Sequence, residues 1–292
     1  MPSTRQRRIA YSQNFLNSRR LVEDLVARSS IGPDDVVIEI GPGKGIITEA
    51  LAGRSRHVLT IEKDPRHVAV LRRRFADRPS VTVFACDFLD FPLPETPYKV
   101  FASIPYRITA AIVAKLTTGV APPVDAYLTV QREAAQRFAG IGGATMLSVS
   151  LAPWFALEVV HEFRRRDFIP QPTGESVLLR IARRPEPLVP WAERERFRQL
   201  VETVFTAWQP TVERAVARLV PKDAVGQVQR RLGRALAARP SALSVEEWIA
   251  LYRLLDDLGD ERFWVACAAA SERLRRQQAR IERPTRTSVG GR

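Results

Sequence analysis

The stretch VVIEIGPGKG, residues 36–45, joins an apolar run to a glycine-rich turn and decides the fold of the chain. A short apolar run followed by glycines and then by helically spaced apolar residues predicts a strand, a turn and a helix. Glycines at such a turn let backbone amides approach a ligand closely. The turn is therefore a candidate binding loop.

The spacing of the glycines within this loop narrows the choice of ligand. Ile46 stands where a dinucleotide-binding GxGxxG motif needs its last glycine. Gly45 follows Lys44 where a phosphate-binding loop needs Ser or Thr. The remaining pattern, ExGxGxG, favours a ligand with a nucleoside and an amino-acid head but no pyrophosphate, namely S-adenosylmethionine.

Two acidic residues follow the next two strands. Glu62 closes a strand predicted over residues 57–61, where its carboxylate can accept from both ribose hydroxyls. Asp87 follows a strand predicted over 81–85 and can accept from an adenine amino group. Taken alone, each acid is better explained as a solvated loop residue or a helix cap than as a ligand-binding residue. Together with the glycines, in this order, they predict a cofactor pocket.

Alternating strand and helix patterns extend from residue 18 to about 182 and predict a Rossmann-like α/β sheet. The later strands are expected at residues 99–102, 126–130, 146–160 and 175–181, the last two as a hairpin around 167–174. After residue 184 the segments are helical in period. We predict a catalytic domain over 1–184, a helical domain over 185–280 and a basic flexible tail over 281–292.

The chain of 292 residues has 45 basic against 32 acidic residues, a formal net charge of +13, and most of the basic residues are arginine. Arginine binds phosphate and stacks on bases, so we expect a nucleic-acid partner, with an anionic membrane surface as the alternative. Two cysteines and three histidines give no basis for a disulfide framework or a metal site. We expect a cytoplasmic monomer without a membrane span.

The segment Ser103-Ile104-Pro105-Tyr106 ends the fourth strand. The proline stiffens the loop, and the aromatic ring offers a platform for a planar substrate. The alternative is a turn in which Tyr106 fills the core.

Residues 11–182 resemble the ribosomal RNA adenine N6-methyltransferases, the group of the erythromycin-resistance (Erm) methylases and the small-subunit dimethyladenosine transferases. The matching pieces are Gln13-Asn14-Phe15-Leu16, EIGPGKG, Glu62, Asp87, Ser103-Ile104-Pro105-Tyr106, and Phe168-Ile169-Pro170-Gln171-Pro172 with Ser176 downstream. The resemblance implies that the cofactor is bound by Gln13, Asn14, Leu16, Gly41, Gly43, Glu62, Asp87 and Ser103. The resemblance also implies that the predicted helical domain binds RNA.

In this resemblance, Tyr106 stacks on a flipped adenine and Phe168 covers the other face of the base or the transferred methyl group. Hydrophobic packing beneath a loop is the alternative for Phe168. Ser103 and a carbonyl of Ile104 or Pro105 accept from the adenine amine, and no general base is expected. The family usually has asparagine in place of Ser103, so transfer of one methyl group or two is left open.

EIGPGKG, the segment 154–158 and the arginine-rich ends resemble the Erm branch. The resemblance therefore favours 23S ribosomal RNA as substrate and macrolide-lincosamide-streptogramin B resistance as the outcome. The alternatives are a 16S ribosomal RNA dimethyladenosine transferase and a non-catalytic nucleic-acid-binding relative. The arginines expected to touch RNA are Arg5, Arg7, Arg8, Arg164, Arg165 and Arg166.

Overall fold

The computed structural model describes residues 14–217, 220, 222–258 and 261–282. These residues form two compact units, one of residues 14–139 with 155–185 and one of residues 140–154 with the chain from 186 onward. Each unit has its own hydrophobic core. The predicted boundary at 184/185 lies one residue from the division at 185/186.

The first unit is built on a seven-stranded sheet with a separate two-stranded ribbon. Its strands are β1 (Phe15–Leu16), β2 (Val36–Ile40), β3 (His57–Glu62), β4 (Val81–Ala85), β5 (Lys99–Ser103), β6 (Asp125–Gln131), β7 (Phe155–Phe163), β8 (Phe168–Ile169) and β9 (Ser176–Arg183). Its helices are α1 (Arg19–Arg28), α2 (Ile46–Ala52), α3 (Pro65–Arg74), α4 (Thr109–Thr118) and α5 (Arg132–Ala139).

The sheet order is β4-β3-β2-β5-β6-β9-β7. The five strands from β4 to β6 pair in parallel, whereas β9 runs antiparallel to both of its neighbours. Val37 and Ile38 of β2 are fully buried, as expected for a parallel strand covered on both faces. This architecture confirms the predicted Rossmann-like fold, and the hairpin of β7 and β9 surrounds residues 167–174 as expected.

Local sequence signals explain where helices begin. The Asp64 side chain accepts from the amide of Arg66, and Pro65 occupies the first turn of α3. The Ser18 side chain accepts from the amide of Leu21 at the start of α1. Val22, Leu25 and Val26 of α1 are buried in a core cluster with Leu16.

One strand prediction was wrong in its first half. Residues 146–151 form a helix, α6 (Met146–Leu151), and not the beginning of a strand over 146–160. The Thr145 hydroxyl accepts from the amide of Ser148, and the Ser148 hydroxyl accepts from the amide of Thr145, which closes a capping box. Residues 140–154 belong to the second unit, although the predicted catalytic domain included them.

The second unit is helical, as predicted. Besides α6 it contains α7 (Arg194–Thr206), α8 (Val212–Ala217), α9 (Lys222–Leu232), α10 (Val245–Asp257) and α11 (Glu261–Glu282). Aromatic side chains form its core: the Phe197 ring packs edge-on against Trp154 at 5.5 Å and against Tyr252 at 5.4 Å. Among the described residues, no helix combines the length and the apolar character that a bilayer span requires. The predicted basic tail lies, from residue 283, outside the described residues.

Candidate active site

The carboxyl ends of four adjacent parallel strands carry the predicted site residues. The glycine loop follows β2, Glu62 ends β3, Asp87 follows β4 and Ser103 ends β5. Carboxyl ends of parallel strands meet at one edge of the sheet, which is where open α/β sheets bind ligands. The structure therefore brings these elements to a common edge.

The glycine loop needs its glycines. Gly41, Gly43 and Gly45 adopt positive φ angles of 68°, 56° and 83°, a region that disfavours side chains. A β-carbon on Gly43 would overlap the ring of Phe15. The Phe15 ring thus covers the loop at Gly43, which is buried.

Glu62 is buried and organises the loop. Its Oε2 accepts from the amide of Gly43 at 3.1 Å, and its Oε1 accepts from the amide of Asp64 at 2.8 Å. The Nδ1 atom of His67 lies 3.8 Å from Oε2. A carboxylate has about four acceptor positions, so two remain for the hydroxyls of a sugar.

Asp87 is held between a main-chain amide and a lysine. Its Oδ1 accepts from the amide of Leu89 at 3.0 Å, and its Oδ2 accepts from the Lys63 ammonium at 2.5 Å. The hydrogen bond from Lys63 lowers the pKa of the Asp87 carboxyl below its ordinary value. The ionised carboxylate is purely an acceptor, which suits an adenine amino group.

Glu39 lies under the glycine loop and is 1% exposed. Burial raises its pKa to about 8. The Thr48 hydroxyl of α2 donates to its Oε2 at 2.6 Å, and this bond joins the strand before the loop to the helix after it. Within the described residues, its Oε1 is buried without a hydrogen-bond partner. A protonated side chain avoids the cost of a buried charge.

The loop after β5 presents Tyr106. Ile104 is buried at 3% exposure, and residues 106–108 form one turn of 3-10 helix. The carbonyl of Pro105 accepts from the amide of Ile108 at 3.1 Å within this turn. The half-buried Tyr106 ring is anchored through its hydroxyl, which lies 2.6 Å from the Ser176 hydroxyl.

The N-terminal segment contacts both the glycine loop and the Ser103 loop. The Ser103 hydroxyl donates to the carbonyl of Asn14 across 3.5 Å, and Phe15 covers Gly43. Leu16 is 4% exposed and lies in the core cluster. Gln13 lies outside the described residues.

The structure does not present Phe168 as an open stacking surface. Its ring is 1% exposed, packs edge-on against Phe163 at 5.2 Å, and shares the core cluster with Leu16. The two-stranded ribbon pairs Phe168 with Leu16, which draws the ring inward. In this structure the ring packs beneath the loop, and a role of Phe168 in covering the base stays a prediction.

Arg164, Arg165 and Arg166 are exposed on the turn that precedes β8. The Arg165 Nε donates to the carbonyl of Pro172 at 2.9 Å, which ties this turn to the far side of the loop. Their contact with RNA stays a prediction. Arg5, Arg7 and Arg8 lie outside the described residues.

Several contributions were not predicted from the sequence. Lys63 pairs with Asp87. Because Lys63 and Asp87 each follow one of two neighbouring parallel strands, the sequence could have suggested this contact. Phe15 and Ser176 stand inside matched motifs, yet no role was given to either. The pairing of Tyr106 with Ser176 depends on tertiary structure, and no local pattern announces it.

The donors and acceptors at this edge fit S-adenosylmethionine: Glu62 for the sugar, Asp87 for the base and the glycine loop for the amino-acid part. The described residues contain no group of three or more His, Cys, Asp or Glu side chains able to hold a metal ion. Fold and site together define a Rossmann-like, S-adenosylmethionine-dependent methyltransferase.

Comparison with known proteins identifies the family. The model of the family "Ribosomal RNA adenine dimethylase" matches residues 4–257, well over half of the chain. The chain therefore belongs to the ribosomal RNA adenine dimethylase family.

Individual relatives include two kinds of ribosomal RNA methyltransferase. The chain is 34% identical over 254 residues to an rRNA adenine N-6-methyltransferase of Saccharopolyspora erythraea, an alignment of 86% of this chain and just under two thirds, 66%, of that relative. It is 33% identical to ribosomal RNA small subunit methyltransferase A of a Synechococcus strain, over 87% of this chain and 94% of that protein. The solved structure of 23S rRNA methyltransferase ErmE is similar with a TM-score of 0.74 and 33% identity, covering 83% of this chain and all of that one.

Proposed function

We propose that this protein methylates N6 of a flipped adenine in 23S ribosomal RNA and thereby confers resistance to macrolide, lincosamide and streptogramin B antibiotics. The observation that carries the chemistry is the position of Tyr106 at the carboxyl end of β5. Its ring is oriented by Ser176, and its loop lies at the same edge of the sheet as Glu62 and Asp87. A tyrosine ring beside the reactive end of the cofactor is a platform for a planar base.

Positioning is the main task of the protein. S-adenosylmethionine supplies a methyl group already activated by its sulfonium. Tyr106 stacks on the adenine and offsets part of the cost of extracting it, since stacking contributes about 1–3 kcal/mol per base. The amine must then be held in line, with water excluded.

Two acceptors near Tyr106 can hold the amine. The Ser103 hydroxyl directs its hydrogen toward Asn14, which leaves its lone pairs to accept from an N6 hydrogen. The Pro105 carbonyl already accepts from Ile108, so the Ile104 carbonyl is the better second acceptor. These contacts localise the amine lone pair without a charged group.

The chemistry needs no dedicated base. The segment from Ser103 to Tyr106 carries neither a carboxylate nor an imidazole. The N6 proton becomes acidic only after the methyl group has been transferred, and it can then leave to water. Glu62 and Asp87 lie at the ends of other strands, where they accept from main-chain amides and, for Asp87, from Lys63, and their remaining acceptor positions serve the cofactor.

The choice of 23S RNA is supported by the similarity to ErmE, whose structure matches over its whole length. A second candidate is 16S ribosomal RNA, because the Synechococcus small-subunit enzyme is 33% identical and is matched over 94% of its length. Both candidates use the same adenine chemistry and differ only in the RNA that is held.

One experiment separates these candidates. Purified protein is incubated with methyl-labelled S-adenosylmethionine and separate transcripts of 23S and 16S RNA, and the modified base is mapped. Label at a 23S adenine, lost in Tyr106→Ala, supports the proposal, and raised erythromycin tolerance of a host with the wild-type protein supports the resistance role. Label only in 16S RNA supports the second candidate. Absence of label together with absent cofactor binding in calorimetry indicates a non-catalytic nucleic-acid-binding relative.

A further inference from the structure

The side chain of Ile169 is 64% exposed on the short strand β8. Single exposed apolar residues are common on protein surfaces, so exposure alone carries no meaning. The neighbours of Ile169 make it different from other exposed apolar residues of the first unit, such as Val120.

Ile169 lies near the loop of residues 103–106 that follows β5. It pairs with Phe15 in the antiparallel ribbon, and Asn14, the residue before Phe15, accepts from Ser103. Paired residues in such a ribbon lie about 5 Å apart, and consecutive residues about 4 Å apart. The backbone of Ile169 is therefore connected to the loop that presents Tyr106 through Phe15 and Asn14, the latter in contact with Ser103.

Hydrogen bonds hold Ile169 on a fixed backbone. The Asn17 side chain donates to the carbonyl of Arg166 at 2.8 Å, and the Asn17 amide donates to the carbonyl of Asp167 at 3.0 Å. The adjacent Phe168 ring is buried and anchors the strand in the core. An apolar side chain thus projects from a strand that is held by the residues directly before it.

The surface around this side chain is positive. Arg164, Arg165 and Arg166 are exposed immediately before it. The one acid among them, Asp167, accepts from the amide of Arg164 through its Oδ2. A cationic surface with an apolar projection matches proteins that grip phosphates and insert a side chain into a base stack.

We propose that Ile169 is a wedge that enters the gap left in the RNA stack by the flipped adenine. This inference rests on the proposed function, since it requires an RNA substrate and an extruded base. Extraction of a base breaks its stacking on both neighbours, and an apolar side chain in the gap restores part of that contact. Ile169 acts on the extrusion step and leaves cofactor binding unchanged.

The test compares Ile169→Ala, Ile169→Met and the control Val120→Ala, which alters a side chain that is 87% exposed in the same unit. Each protein methylates two RNAs, one with the target adenine stacked in a helix and one with the same adenine in a flexible bulge. We expect Ile169→Ala to lower kcat/KM about tenfold on the stacked RNA and at most about twofold on the bulged RNA. Ile169→Met and Val120→Ala should stay near wild type.

A second readout follows extrusion directly. With 2-aminopurine at the target position, wild-type protein should raise fluorescence on binding, and Ile169→Ala should raise it less at saturating protein. Calorimetric affinity for S-adenosylmethionine and the melting temperature should not change. Equal losses on both RNAs, or wild-type rates in Ile169→Ala, overturn the wedge while the proposed function stands. A wild-type protein that methylates neither RNA overturns both.

Discussion

The hydroxyl groups of Tyr106 and Ser176 lie 2.6 Å apart and join the loop after β5 to the first residue of β9. Ser176 is 2% exposed and pairs with Gln131 of β6 and Phe163 of β7. The orientation of the Tyr106 ring is thus set from the interior of the sheet. This one bond couples the position of the Tyr106 ring to the register of β9.

Removal of that bond should cost less than removal of the ring. We expect Tyr106→Ala to lower kcat by about a hundredfold or more with unchanged cofactor affinity, since stacking and orientation are both lost. Tyr106→Phe and Ser176→Ala should each lower kcat by about tenfold or less. The double variant should be no worse than either single one, because both remove the same contact. Steady-state methylation and calorimetry measure these effects, and near-normal turnover of Tyr106→Ala would remove the residue from the mechanism.

Asp87 offers a test of cofactor binding. Asp87→Asn keeps the size of the side chain but replaces one acceptor oxygen by an amide donor, which opposes the adenine amino group. We expect the Kd for S-adenosylmethionine to rise by roughly tenfold, with kcat little changed at saturating cofactor. Lys63→Met is the matched control, because it frees the carboxylate of its partner without altering it. Calorimetry that shows equal affinity for wild type and Asp87→Asn would exclude Asp87 from the pocket.

Glu39 couples stability to pH. Its pKa rises from 4.5 to about 8 on folding, so between these values the folded chain binds a proton that the unfolded chain releases. Stability from this group is therefore lost as pH rises through that window. Glu39→Gln removes the titration, and its melting temperature should exceed that of wild type by a margin that grows from pH 5 to pH 8.5. The gain corresponds to on the order of 1–3 kcal/mol at the upper end.

Calorimetric scans across this pH range check the expectation for Glu39. Thr48→Val is the companion variant and should destabilise at every pH, since it removes the hydroxyl that donates to Glu39. A difference between Glu39→Gln and wild type that is the same at every pH would contradict a buried protonated carboxyl.

The proposed contact of the turn before β8 with RNA can be tested by measuring how RNA binding depends on salt concentration. Replacement of Arg164, Arg165 and Arg166 by glutamine should weaken RNA binding and flatten its dependence on salt. Each lost phosphate contact removes about 0.7–0.9 from the slope of log K against log salt, so the triple change should remove about 2–3. The control replaces Arg72 and Arg73, which are exposed on α3. An unchanged slope in the triple variant would mean that the turn does not touch phosphate.

The sheet and the order of site residues could be predicted because they follow from local periodicity. Apolar runs mark the strands, and parallel strands bring Glu62, Asp87 and Ser103 to one edge by topology alone. The sequence left open whether Phe168 is buried, because its burial depends on the pairing of β1 with β8 across about 150 residues of chain. The helix at Met146–Leu151 was missed because a short apolar run fits a helix or a strand until its cap is recognised.

Ser103 is the residue most able to change the product. Its hydroxyl donates to Asn14, so it can accept from the amine, but its short side chain limits its reach. Ser103→Asn places an amide oxygen farther from the backbone, where it can hold the amine after one methyl group has replaced a hydrogen. We expect the ratio of dimethyladenine to monomethyladenine to rise by at least about threefold, which corresponds to at least about 0.6 kcal/mol in relative barrier. Mass spectrometry of digested RNA measures this ratio, with Ser103→Ala expected to lower it. If Ser103→Asn leaves the ratio unchanged while cofactor affinity shifts, position 103 serves the cofactor and does not decide how many methyl groups are added.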